Sequence, residues 1–563
     1  MSKSNSTLAG KLGSIQPKEG LVAANNVPTP DTKNIQGYDA YKQDKWLRLL
    51  TMLNVLKLQP QYYRSERTAL QELQTLIKEC ATEDAYFTCQ CIVWSRCLGE
   101  GMRTISHAAS VFVAPYISGQ EFSKRFYGPW NKKEKKGGVI YRPDDMNEIL
   151  QGFVALNGEY KTTTVTNHTT GVSDTQVDIS GTKLTNAMKK GFKAAIESLD
   201  SYSLLKYKSS LIDVINLVHP KSSDSQATVE VDGETVYTID AIMRGMNVSA
   251  NTWEVNQGEA GQIVSKAVKE GKITEEEAKE VLTQAKADNW EEMLNEGKLP
   301  ILATLRNLRN ILKTNPKSET IKKLCELVSN PTLLRQGKIM PYQIDMANEI
   351  MLTEFSGSTA RTVSKALAEG YELAVPNLAE LLPGNNVVFL DMSNSMTWHK
   401  VRVNGKEGST TPADKACLIA ATIAKATGAD IMIFGTSAKY VQYNPNTDVF
   451  TLAKQLNNAN MGGTDLSTAW KLAKSSGRKY DRVFILSDNE VNTGNTYNAY
   501  RDYMSNMGNP YVYSVDLAGY GTNAIAGDKV RYYYGYGFAM FDDIATSEFN
   551  PTHHIDKVKQ VII

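Results

Sequence analysis

The stretch FLDMSNSM, Phe389 to Met396, follows the apolar run Val387-Val388-Phe389-Leu390 and at once offers Asp391, Ser393 and Ser395 at alternate positions. Two further stretches end in the same way. RVFILSD puts Asp488 just past another apolar run, and NMGGTD brings Gly462, Gly463, Thr464 and Asp465 ahead of a helical pattern. Hydroxyls and carboxylates with no His or Cys among them are hard donors, suited to Mg²⁺ or Mn²⁺. The glycines let the Thr464 loop approach other backbone closely.

A second chemistry is carried by cations. KRFYGPWNKKEKK places Lys124, Arg125, Lys132, Lys133, Lys135 and Lys136 around Phe126, Tyr127 and Trp130. The spacing predicts a helix over 184–199, with Leu184, Met188, Phe192, Ala195 and Leu199 in one stripe. Lys189, Lys190 and Lys193 fall off that stripe, and no acid stands between Lys183 and Lys193. Over 301–313, Ile301, Leu305, Leu308 and Leu312 share a face, while Arg306, Arg309 and Lys313 line up outside it. Cations interleaved with aromatics suit single-stranded nucleic acid, whose phosphates need charge and whose bases stack. Each stripe taken singly also reads as a solvated helix face. Tyr62-Tyr63 and YYYGYGF (532–538) read as core or hairpin rather than as base platforms.

Catalytic signatures are missing: no P-loop, GxSxG, HExxH or paired CxxC occurs. Of the six histidines only His399 lies near the oxygen donors in sequence, within a predicted hairpin turning at Asn404-Gly405. The chain is therefore read as a binder and not an enzyme. Its formal net charge is +1 over 563 residues, so any nucleic-acid surface must be local. Without an 18-residue apolar run or an apolar leader, neither a membrane span nor a secretory signal is expected. Six scattered cysteines fit buried thiols in a reducing, cytoplasmic setting.

The elements that must position these residues fall into two grammars. After an irregular arm (1–36), residues 37–382 read as successive amphipathic helices, a solenoid-like stack. A Thr-rich stretch (158–180) is expected to be a loop or small hairpin. TVEVDGETVYTI is expected to be a hairpin, and a charged helix opens on the capping pair Thr274 and Glu277. Past Pro383-Gly384 the strands VVFLDMS, IMIFG, RVFILSD and PYVYSVD alternate with helices. That pattern predicts a parallel α/β sheet covered on both sides over 384–563, with ligands beyond the strands' carboxyl ends.

Asp391-x-Ser393-x-Ser395 with Thr464 and Asp488 resembles the metal-ion-dependent adhesion site (MIDAS) of von Willebrand factor A domains. The resemblance implies that the two serines and Thr464 ligate the ion, with both aspartates acting directly or through water and a partner's acid completing the shell. Ahead of it, KWLRLLTMLNVLKLQPQYYRSE, SLIDVINLVHPK, WEEMLNEGKLPILATLRNLRNIL and GKIMPYQI resemble the TROVE module of the Ro family. This implies an all-α ring of HEAT-like repeats followed by a doubly wound, Rossmann-like A domain in a monomeric ribonucleoprotein. It also implies binding of small non-coding RNAs (Y RNAs) and of single-stranded 3′ ends of misfolded RNAs, with an exoribonuclease as a possible partner. The chain has Leu211-Ile212 where many Ro proteins carry a His-Lys pair implicated in Y RNA contact. Two other classes stay open: a metal-dependent adhesion or assembly module, and a metal-dependent nuclease.

Overall fold

The structure, a computed structural model, describes residues 27–56, 61–157, 162–166, 173–177, 183–248, 264, 268, 274–297, 299–397, 402–403, 406–407, 411–535, 537–548, 550 and 552–563. Contacts group the chain into two units. One holds the chain up to Ala69, Pro300–Arg309 and Leu324–Ile555; the other holds Leu70–Leu299, Asn310–Lys323 and Asp556–Ile563.

In the first unit a six-stranded sheet is built from β1 (Asn386–Asp391), β2 (Asp430–Phe434), β3 (Ala438–Val441), β4 (Arg482–Ser487), β5 (Tyr511–Asp516) and β6 (Val530–Tyr534), in the order β3-β2-β1-β4-β5-β6. The four strands expected from sequence are present and mutually parallel. Every residue of β1 is buried, as a strand covered on both faces requires. Two edges went unread: β3 runs antiparallel to β2, and β6 extends the parallel run beside β5. The sheet is therefore mixed. β3 is only partly buried (AKYV), so it shows no apolar run. β6 (VRYYY) belongs to the aromatic stretch read as core or hairpin.

Helix α1 (Pro412–Thr427) packs on one side of β1 and starts as its sequence dictates. The Thr411 hydroxyl accepts from the Asp414 N–H at 3.1 Å, and Asp414 accepts in return from the Thr411 N–H. On the other side Trp470, from α2 (Leu466–Ser475), sits edge-on to Phe389 with 5.0 Å between ring centres. Val27 joins this core. Within the arm expected to be irregular, Thr32–Lys33 pairs antiparallel with Asp39–Lys42, which in turn pairs with Thr522–Asn523. Residues 27–56 and 61–64 thus belong structurally with the sheet.

The second unit is mainly helical. TVEVDGETVYTI forms the expected hairpin, turning at Asp232 and Gly233, both with positive φ. Thr162–Thr166 pairs with Ser173–Val177, so the Thr-rich stretch contains a hairpin. Thr274 and Glu277 make the expected capping box on Glu275–Asn295. The helix over 184–199 is observed as Asn186–Glu197, with Met188, Phe192 and Ala195 buried. Helix Ile301–Lys313, whose residues divide between the two units at Arg309, buries Ile301, Leu305, Leu308 and Leu312 and exposes Arg306, Arg309 and Lys313. In the first unit Arg402–Val403 pairs with Lys406–Glu407 as expected, while His399 and the Asn404-Gly405 turn lie outside the described residues. All six cysteines are free; five are buried and Cys325 is partly exposed.

Candidate metal centre and basic surface

Strands β1 and β4 are parallel neighbours, so their carboxyl ends deliver Asp391 and Asp488 to one place. Ser487 closes the gap, donating to Asp391 Oδ2 at 2.6 Å. The chain then turns: Ser393 N–H donates to Asp391 Oδ1 at 2.9 Å, and the short helix Asn394–Thr397 brings the Ser395 Oγ to 3.2 Å from the Ser393 Oγ. The third segment is tied on by backbone. Asn394 N–H donates to Gly462 O at 2.8 Å, and Met461 N–H donates to Met392 O at 2.8 Å. Gly435 allows this approach, since a Cβ there would lie 2.3 Å from the Met461 Cβ. Thr464 is fixed at both ends by Asn492, through its N–H at 2.9 Å and its carbonyl at 3.0 Å. Asp465 serves instead as the cap of α2, accepting from the Ser467 N–H at 2.9 Å.

All five expected ligand residues are therefore brought together, and all are buried. Two of their oxygens, Thr464 Oγ1 and Asp488 Oδ2, are buried without a hydrogen-bond partner. Buried polar atoms in folded proteins are almost always satisfied. Burial, and then the Asp488 charge, push the Asp391 carboxyl up to about 7, and burial likewise raises Asp488. Three hydroxyls and two desolvated carboxylates with unused lone pairs fit a hard divalent cation, which would remove the mutual repulsion. Among the described residues no group of three or more His, Cys, Asp or Glu could hold a metal. Here the donor set is completed by hydroxyls.

Three neighbours were not found from sequence. Asp516, at the end of β5, is already satisfied by the Ala518 and Gly519 N–H groups at 2.9 and 2.7 Å. Glu490 is buried, its carboxyl pushed up to about 8 by burial and by Asp488. Only its place two residues after Asp488 could have drawn attention to it. Tyr63, more than 300 positions away in sequence, packs edge-on against Tyr520, and its phenol is raised by burial and then by the Asp488 charge. No local pattern could have indicated it.

In the second unit two of the basic stretches converge. Helix Asn186–Glu197 presses against the turn at 123–128, because Gly191 leaves room: a Cβ there would come within 2.7 Å of Lys124 O. Lys124, Arg125, Lys136 and Lys190 line one cavity of about 480 Å³ with Pro129, Ala194 and Ile562 as its apolar walls. No carboxylate side chain is among its described lining residues. Gly137 N–H donates to Ile562 O at 2.8 Å, holding that wall. Lys133, Lys135, Lys183 and Lys189 are exposed. Lys136, in the lining, is 2.6 Å from Glu134; outside the lining, Lys132 lies 4.5 Å from the Tyr141 ring centre, Lys193 is 3.7 Å from Glu197, and Arg309 is 3.1 Å from Glu354. Arg306 and Lys313 stay on the exposed face of their own helix, outside this lining.

Comparison with known proteins gives three findings. The family model of the TROVE domain matches residues 260–378, and that of the Ro60 vWA domain matches residues 386–515. The crystal structure of the Ro (RSR) protein of Deinococcus radiodurans shares the fold, with a TM-score of 0.51 and 16% identity over 90% of this chain and 99% of that one. No curated protein sequence matches. Among the described residues, no helix is long and apolar enough to cross a membrane.

Proposed function

With the Ro-family resemblance shown on two segments and in the fold, we propose that this chain is an RNA-binding scaffold of Ro type. The observation that supports it most is the convergence of two sequence-distant basic stretches on one cavity free of lining carboxylates. Cations at such a surface exchange condensed counterions for phosphates, and the apolar walls accept a base or a sugar face. The RNAs in this reading are small structured non-coding species with single-stranded 3′ ends, Y-like or misfolded, and the role is quality control or stability. The scaffold acts by binding and not by catalysis, works as a monomer in the cytoplasm, and can hand RNA to an exoribonuclease.

The oxygen cluster supports a second, compatible reading as an assembly site. Asp391, Ser393, Ser395, Thr464 and Asp488 would hold Mg²⁺, or Mn²⁺ in its place. The cation then supplies a Lewis-acidic docking point for a carboxylate of a protein partner. The chain's own residues position the hydroxyls and exclude water from the buried carboxylates.

The test is binding of a hairpin RNA with a single-stranded 3′ tail against the same hairpin blunt-ended, across a salt series, with and without EDTA. Tail-dependent, EDTA-resistant and salt-sensitive binding with intact RNA is expected. Replacing Lys124 and Lys190 with Ala should lower the affinity and flatten the salt dependence by about 0.7 log units per lost phosphate contact. Arg309→Ala, which removes a cation already paired with Glu354, should do less. No binding at low salt sinks the RNA reading; metal-dependent loss of RNA replaces it with a nuclease.

A further inference from the structure

Residues 556–563 group with the helical unit, and one buried side chain does most to hold them there. Gln90, on the helix Ala85–Val93, donates through Nε2 to Lys559 O at 3.0 Å and to Val561 O at 2.7 Å. The bond from Gly137 N–H to Ile562 O at 2.8 Å fixes the next carbonyl. Val558, Val561 and Ile563 are buried, and Lys559 Nζ lies 5.6 Å from the Phe87 ring centre. Between two buried neighbours, Ile562 is left out. At 62% exposure it is the most exposed large apolar side chain among the described residues. It stands in the lining of the basic cavity together with Lys124, Arg125 and Lys190.

We propose that Ile562 is the apolar contact for an unstacked base in this cavity, and that Gln90 is the residue that positions it. The inference rests on the reading of the cavity as an RNA site, and it names what that site takes: a base of a single strand together with its phosphates. A lone exposed apolar side chain is commonplace, but this one differs in two ways. Its backbone is tied down on both sides, so little freedom is left to lose when a ligand covers it. It also shares its cavity with three cations, which would hold the phosphates flanking a base. Cations alone bind a strand whether or not its bases are present; an apolar face adds affinity only when a base covers it. Salt separates the two contributions, because burying apolar surface releases no counterions.

The experiment uses the full chain and two hairpin RNAs, one with an adenosine 3′ tail and one with the same tail built from abasic residues, each titrated across a salt series. Ile562→Ala, a change at an exposed side chain, should weaken the adenosine tail by about 10-fold. It should leave the abasic tail and the salt dependence unchanged. Gln90→Met keeps the length of the side chain and removes its donor. It should weaken the adenosine tail and spare the abasic one, and it should add nothing in a chain that already carries Ile562→Ala. Unchanged adenosine-tail affinity in Ile562→Ala, or an equal loss on both tails, overturns the base contact. A Gln90→Met loss that adds to that of Ile562→Ala overturns the positioning role. A wild type that binds neither tail at low salt overturns the RNA reading itself, and this inference with it.

Discussion

Asp145 and the pair Asp391–Asp488 are carboxylates buried to a similar degree, yet their surroundings are opposite. In the helical unit, Arg96 grips Asp145 with Nη2 at 2.9 Å from both oxygens, and Arg103 Nε adds a contact at 3.2 Å. The Tyr141 and Arg142 N–H groups donate to it at 3.0 and 2.9 Å, and His107 Nε2 lies 3.1 Å away. Burial opposes the charge on Asp145, but these partners win and hold it well below the usual carboxylate range. Around Asp391 and Asp488 no described Lys or Arg forms an ion pair, and burial raises both. The charge on Asp145 is met by cations of the chain; among the described residues the Asp391–Asp488 pair meets none.

The largest effect that sharpens this contrast is expected at Asp145. Asp145→Ala strands the Arg96 guanidinium, itself buried, and breaking a buried ion pair from one side costs about 3–5 kcal/mol. The urea midpoint should fall accordingly, with Asp145→Asn falling less because the amide still accepts hydrogen bonds. An unchanged midpoint would mean that the network is not what closes the helices Thr104–Phe112 and Asp145–Asn157 together.

The next effect runs the other way. Asp488→Asn removes one of two adjacent unpaired carboxylates, so in EDTA the melting temperature should hold or rise. With Mg²⁺ at a hundredfold excess over its Kd, the wild type should gain about 2.7 kcal/mol, and Asp488→Asn should gain almost none. If the variant melts far below the wild type in EDTA, the cluster is structural and the contrast with Asp145 collapses.

How each cluster looks in the sequence follows from where its parts come from. The oxygen donors lie at the ends of fully buried strands and on a Gly-Gly loop, so apolar runs, spacing and residue type already placed all five. β3 and β6 escaped, because a half-exposed edge strand has no apolar run and an aromatic string has more than one home. Asp145, Arg96 and His107 come from three segments whose local patterns are ordinary, and Arg96 sits in the π-turn Trp94–Leu98 that follows the helix Ala85–Val93. Tyr63 is the extreme case, brought within the influence of the Asp488 charge across most of the chain. The basic stretches were legible singly, but their meeting depends on Gly191, and no spacing rule links it to Lys124.

The smallest effect is a pH dependence confined to the satisfied cluster. Burial alone would depress the His107 imidazole, but the Asp145 and Glu148 carboxylates beside it outweigh that and raise it, with Nδ1 at 2.8 Å from Glu148 Oε2. A group raised in the folded state contributes stability that is full below its unfolded value, about 6.5, and lost as pH climbs through the folded value. Asp145, held low, contributes the reverse: full above its unfolded value of about 3.9 and lost on acidification. The network should therefore be strongest between about pH 4 and 6.5. Above that window stability should decline with a slope of at most about 1.4 kcal/mol per pH unit, the limit for one proton. His107→Gln should flatten that decline when urea midpoints are compared across pH, whereas Glu548→Gln, an acid buried beside Arg482 at 2.6 Å in the other unit, should leave it in place. A decline that survives His107→Gln would assign the proton elsewhere and leave His107 neutral within its pair of acids.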